Sequence, residues 1–209
     1  MDTGDPYGFA VALGEPSLPV SDVGWDEIEG ALGMRLPAGY KAWADRYRSL
    51  RFAEYLEITN LRCVLELESL EGLSAWFGDS TVSQTLAYQS GERLHAVKGG
   101  YFPYRAGEIR AYPEDGGLLQ VGLGDNNEIF CLLPPPSPAE GWRVLATDFR
   151  VWWLYDGPFE DFLIALVNGH LDCSLLPDFS AEPVTVEERE SYTVLSTGGY
   201  FTNWRPILP

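Results

Sequence analysis

Few residues of this chain have the type and spacing that chemistry requires. Its two histidines are His95 and His170. His170-x-x-Cys173 has the spacing of half a metal site, but a closed site needs further ligands that nothing nearby supplies. Gly122-x-Gly124 lacks the third glycine and the following helix of a dinucleotide-binding turn. Neither a Gly-x-x-x-x-Gly-Lys-Ser/Thr phosphate loop nor a Gly-x-Ser-x-Gly nucleophile elbow occurs. Asp125-Asn126-Asn127-Glu128 offers side-chain oxygens without the spacing of a calcium loop. Glu114-Asp115 precedes Gly116-Gly117 and reads as a turn. Glycosidic acid–base work would need two carboxylates at a set separation, which spacing along the chain does not give. The expectation is a chain with no catalytic residue, no cofactor and no metal.

Recognition is a better use of the same residues. Loops present side chains to partners, so Asp125, Asn126, Asn127 and Glu128 are candidate contact residues. Trp152 and Trp153 are neighbours in a predicted strand, and their rings must point to opposite faces. One can enter the core while the other meets solvent or a partner, for which tryptophan is a favoured anchor. A helix or the C-terminal arm covering the second ring is the alternative.

Composition narrows the kind of partner. The chain has 209 residues, 45 % hydrophobic and 13 % aromatic, ample for one folded domain. Its formal net charge is −17. Such a field repels nucleic acid and anionic lipid and attracts basic proteins, although solubility alone is also served by it. The first 34 residues hold no Lys or Arg but carry Asp2, Asp5, Glu15, Asp22, Asp26, Glu27 and Glu29. Arg35, Lys41, Arg46, Arg48 and Arg51 follow. That run is too short for a nucleic-acid footprint, and is expected to pair with the acidic helix before it or to face solvent. Cys63, Cys131 and Cys173 form no C-x-x-C, and an odd count argues against a disulfide framework. Cys63 and Cys131 lie in strand-like runs and read as buried thiols. No apolar run approaches the ~18 residues that cross a bilayer, and the acidic N-terminus lacks a signal-peptide core. A cytoplasmic chain is expected.

The elements that position these residues are legible in part. Residues 1–20 read as an irregular lead-in. Trp25, Ile28 and Leu32 share a helix face, Gly33 suits a left-handed C-cap, and Pro37 opens a second helix. Tyr40, Trp43, Ala44 and Tyr47 continue that helix's apolar stripe. Leu56–Leu61 and Cys63–Leu67 resemble half-buried strands. Leu70, Leu73 and Phe77 suggest a helix between Ser69 and Gly78. Val82, Leu86, Tyr88, Leu94 and Val97 suggest short strands. Leu119, Val121 and Leu123 line one strand face, and Glu128–Leu133 returns after a turn that tolerates positive φ. Pro134-Pro135-Pro136 and Pro138 form a stiff loop. Arg143–Ala146 and Arg150–Leu154 read as strands. Pro158 opens a last helix with Phe159, Phe162, Leu163 and Leu166 as its buried stripe and Gly169 as its stop. Tyr192–Thr197 and Tyr200–Trp204 around Gly198-Gly199 suggest a terminal hairpin. It is either an added edge of the sheet or a separate arm.

Trp25-x-x-Ile28-Glu29-x-x-Leu32-Gly33-x-x-Leu36-Pro37-x-x-Tyr40 resembles the opening signature of the SUKH superfamily. Leu118–Cys131 is similar to that family's strand, polar turn and strand, with Asp125-Asn126-Asn127 where a glycine is common and Cys131 where a tryptophan often stands. Phe159-Glu160-Asp161-Phe162-Leu163 resembles its closing helix. The blocks occur in family order over residues 21–176, leaving 177–209 as a C-terminal extension. The resemblance implies a single α+β domain, a mixed or antiparallel sheet with N-terminal and C-terminal helices packed on it. It also implies a non-enzymatic protein-binding role, foremost that of an immunity protein sequestering a basic bacterial toxin domain such as a nuclease. A regulatory scaffold or adaptor, like the fungal cell-wall assembly regulators of the group, is the alternative.

Overall fold

The computed structural model describes residues 5–65, 70, 72, 82, 86, 93–136, 141–180, 183–194 and 200–208. Its first element is a one-turn helix, α1 (Phe9–Leu13). The lead-in is therefore not wholly irregular. Asp5 accepts from the N–H groups of Phe9 and Ala10 at 3.0 and 2.7 Å, and Phe9 is fully buried. A carboxylate on the first orphan donors of a helix is reason enough for the turn to form.

Helix α2 (Trp25–Leu32) ends where expected, with Gly33 at φ 68° and its N–H bonded back to the helix. A left-handed residue there releases the chain without a Cβ clash. Pro37 then stands at the N-cap of α3 (Ala38–Ala44), and Tyr40, Trp43, Ala44 and Tyr47 are all fully buried. Strands β1 (Leu50–Phe52) and β2 (Leu56–Ile58) form a hairpin. The strand expected over Cys63–Leu67 is instead helical at its start, in α4 (Leu61–Val64). Asn60 decides this: its side-chain oxygen accepts from the Arg62 N–H at 2.8 Å, while its amide donates to the carbonyls of Ala44 and Tyr47. An N-cap with that much tertiary support outweighs an alternating pattern of a few residues.

Val82 and Leu86, read as strand residues, are helical and buried, and Leu70 is helical as expected. Ser69, Leu73, Phe77, Gly78 and Tyr88 lie outside the described residues. Strands β3 (Arg93–His95) and β4 (Tyr101–Arg105) make a two-stranded sheet, followed by the short 3-10 turn η1 (Ala106–Glu108). Val97 falls in its turn rather than in a strand.

The remaining strands are β5 (Leu119–Gly124), β6 (Ile129–Leu133), β7 (Arg143–Thr147) and β8 (Trp152–Tyr155). Helix α5 (Phe159–Val167) and strands β9 (Val186–Val194) and β10 (Tyr200–Pro206) complete the chain. Eight strands join one sheet in the order β10-β9-β1-β2-β5-β6-β7-β8, and every pair is antiparallel. Helix and antiparallel sheet in one α+β fold match the sequence expectation. β9 and β10 pair as an edge of this sheet rather than as a separate arm, while Gly198-Gly199 and the expected strand end at Thr197 lie outside the described residues. Glu188 of β9, fully buried, accepts from the N–H groups of Ser17, Leu18 and Arg48.

One face of the sheet is covered by α1, α2, α3 and α5. There Tyr40, Trp43 and Phe159 meet at ring distances of 5.1 to 5.6 Å, and Phe130 meets Phe162 at 6.1 Å. The other face carries a second cluster in which Leu94 and Phe102 of β3–β4 pack on Cys131, Leu145 and Trp152. No helix among the described residues is long and apolar enough to cross a membrane.

Candidate functional site

The turn between β5 and β6 is built from the inside. Gly124 N–H bonds the Glu128 carbonyl at 2.7 Å, and Asn127 takes φ 68°, a conformation asparagine tolerates. The Glu128 side chain folds inward, where it accepts from the Tyr55 hydroxyl at 2.7 Å and from the Asn126 N–H at 3.0 Å. Asn126 Nδ2 donates to the same hydroxyl at 2.8 Å. Burial and the Glu128 carboxylate push Tyr55 up to about 12, with the Asn126 amide pulling the other way. Tyr55 is therefore a neutral donor at ordinary pH. Each Glu128 oxygen holds a hydrogen bond, and together they brace the turn against Tyr55.

Tyr55 also ties this turn to the neighbouring one. Its carbonyl accepts from the Asp125 N–H at 3.1 Å, which sets the β1–β2 turn beside the β5–β6 turn. Two successive residues of the β1–β2 turn, Ala53 and Glu54, have φ of 50° and 56°. Such hairpin turns favour Asn-Gly, because a Cβ at positive φ costs roughly 1–2 kcal/mol. Glu54 and Asp125 are exposed on these two turns. Neither carboxylate has an ion-pair partner among the described residues.

The six sequence candidates separate into three groups. Asp125, Asn126 and Asn127 are exposed on one turn. Glu128 is buried at 6 % exposure and Trp152 at 1 %, so neither reaches a partner. Glu128 is taken by its brace, and Trp152 anchors the second core cluster against Phe102 at 6.0 Å. The opposite-face expectation for the tryptophans holds. Trp153 packs toward α5, stacking with Tyr155 and Phe162 at 5.9 and 6.4 Å, and donates from Nε1 to the Asp172 carbonyl at 3.1 Å. It is half-buried, with the α5 side of the fold over its ring. Glu54 and Tyr55 were not legible as part of the site, because Ala53-Glu54 has none of the residue types that announce such a turn.

The other chemistry-bearing residues do not converge. His95 is exposed on β3 and His170 follows α5. No three His, Cys, Asp or Glu side chains among the described residues could together hold a metal ion. Cys63, Cys131 and Cys173 are buried, and burial pushes the Cys131 and Cys173 thiols up, the latter to about 11. Compared with models of known families, with curated proteins and with solved structures, the chain finds no match.

Proposed function

We propose that the chain is a non-enzymatic, cytoplasmic protein-binding domain that captures a basic partner, in the manner of a SUKH-type immunity protein acting on a toxin domain. One observation supports this reading above the rest. The basic run after Gly33 is spent internally, leaving carboxylates outward. Arg35 and Lys41 bind Glu29 at 2.6 and 2.8 Å, Arg46 binds Glu15 at 3.2 Å, and Arg51 binds Glu187 at 2.6 Å. Glu54 and Asp125 project from two mutually braced turns at one end of the sheet. A nuclease toxin would present a basic phosphate groove, for which such a rim competes.

Co-expression with candidate secreted-toxin domains, reading growth of the cells, tests the proposal. The expected result is rescue by the unaltered chain and loss of rescue in the Glu54→Lys/Asp125→Lys variant. Rescue from no toxin, together with stable capture of a neutral cellular protein, would overturn it in favour of a scaffold or adaptor.

A further inference from the structure

Among the described residues, four arginines without a carboxylate partner lie in or near one hairpin. Elsewhere, cations such as Arg35, Arg46, Arg62, Arg150 and Arg205 each have an Asp or Glu in salt-bridge contact. Arg48 is buried against the carbonyls of Pro19 and Arg189. Arg93, Arg105, Arg110 and Arg143 have no carboxylate partner among the described residues. Arg93 lies in β3, Arg105 ends β4, and Arg110 follows η1. Arg143 reaches the Tyr104 hydroxyl on β4.

Segment 93–110 thus carries Arg93, Lys98, Arg105 and Arg110 against Glu108 alone. The Glu108 carboxylate is bonded to the Arg105 backbone N–H at 2.8 Å. Lys98 is ion-paired with Asp172, which leaves Arg93, Arg105 and Arg110 as the cations of this segment with no carboxylate partner among the described residues, in a chain of 31 acidic and 14 basic residues. The register sharpens the point. Arg93 stands directly across from Arg105, and like charges in that relation destabilise a strand pair. Packing does not require them, because Leu94 and Phe102 on the inward side anchor the hairpin to the second cluster.

The outer side of the hairpin also carries aromatic surface. The Arg93 guanidinium lies 4.3 Å from the Tyr101 ring centre, and His95 stands 5.6 Å from the same ring. Tyr101 is 57 % exposed. One guanidinium fork over an exposed ring, with a second exposed arginine directly across the strand pair, suits carboxylates on short apolar stems.

We propose that the outer face of β3–β4 docks a short acidic segment of a partner protein, its carboxylates held by Arg93 and Arg105 and its stems lying on Tyr101. Charge complementarity selects this occupant. A nucleic-acid strand would run from the patch into the field of a −17 molecule, whereas a short acidic segment stays within the basic hairpin. The site is separate from the Glu54–Asp125 rim, has the opposite sign, and does not depend on the toxin-capture reading.

Fluorescence anisotropy of the full chain at low salt tests it, with labelled hexaglutamate, hexaglutamine and a six-residue oligothymidylate as probes. Hexaglutamate is expected to bind and hexaglutamine not to. Arg93→Gln/Arg105→Gln should weaken binding by about tenfold or more, and Tyr101→Ala by less. Arg105→Glu should abolish binding while raising the thermal midpoint, a split that a purely structural arginine would not give. The proposal is overturned if unaltered protein ignores hexaglutamate or if the double variant binds it equally well. Tighter binding of the oligothymidylate through the same residues would also overturn it.

Discussion

Glu29 shows what the signature around it is for. It is buried at 4 % exposure, and its carboxylate holds the Leu36 N–H at 2.9 Å together with Arg35 and Lys41. Trp25 Nε1 donates to Asp45, and Tyr40 donates to the Thr59 carbonyl while accepting from the Leu61 N–H. These side chains lock the α2–α3 corner. Ile28, Leu32, Gly33 and Tyr40 were legible from spacing, since periodicity and a glycine stop are local signals. The role of Glu29 was not, because its partners depend on how α3 turns back. Burial alone would raise its carboxyl, but Lys41, the Leu36 N–H and Arg35 outweigh that and hold it below its ordinary 4.5. A carboxyl depressed in the folded state stabilises the fold above its unfolded value, and that stability disappears as pH falls through the folded value. Glu29→Gln is expected to cost about 1–3 kcal/mol at pH 7 and less at pH 3, read from urea titrations at both. Phe162, fully buried between Phe130, Phe159 and Tyr155, is a second test. Phe162→Ala should cost about 3–5 kcal/mol by the same method.

The elements were readable where a stop or cap announces them and misread where register decides. Leu123 is the clear case. Alternation put it on the face of Leu119 and Val121, yet it is 49 % exposed. The pairing of β5 with β6 skips Val121, since Gln120 faces Cys131 and Gly122 faces Phe130. That bulge turns everything after it to the other side. The β1–β2 turn is the converse, an element whose geometry contradicts its own residues. Replacing Ala53-Glu54 by Asn-Gly is expected to stabilise the protein by about 1–2 kcal/mol. A higher urea midpoint with an unchanged slope would confirm that strain has been removed. On β3–β4, Arg105→Glu opposite Arg93 should stabilise by about 0.5–1 kcal/mol, measured by thermal unfolding at low salt. Both changes relieve a cost that the fold does not need, and each lies on a surface proposed to meet a partner.

At the scale of the whole molecule, net charge and fold class were legible and the arrangement of charge was not. A value of −17 comes straight from composition. That Arg51 faces Glu187 across β1 and β9, and that Arg93 faces Arg105 across β3 and β4, follows only from how the strands pair. If an acidic rim steers a basic partner, Glu54→Gln and Asp125→Gln should slow association and flatten its dependence on salt, with a smaller effect on dissociation. Stopped-flow mixing with the captured partner at two ionic strengths would show it. The C-terminal hairpin was recognised as a unit, but its place in the sheet was not, because β9 pairs with β1, far earlier in the chain. A ribosome making this protein therefore releases β1 and β2 well before the neighbour that will flank β1 exists. Until Val186–Val194 emerges, the backbone of Leu50–Phe52 is an open edge able to recruit a strand from another nascent chain. The buried contacts of Glu188 with Ser17 and Leu18 form only when that interval closes.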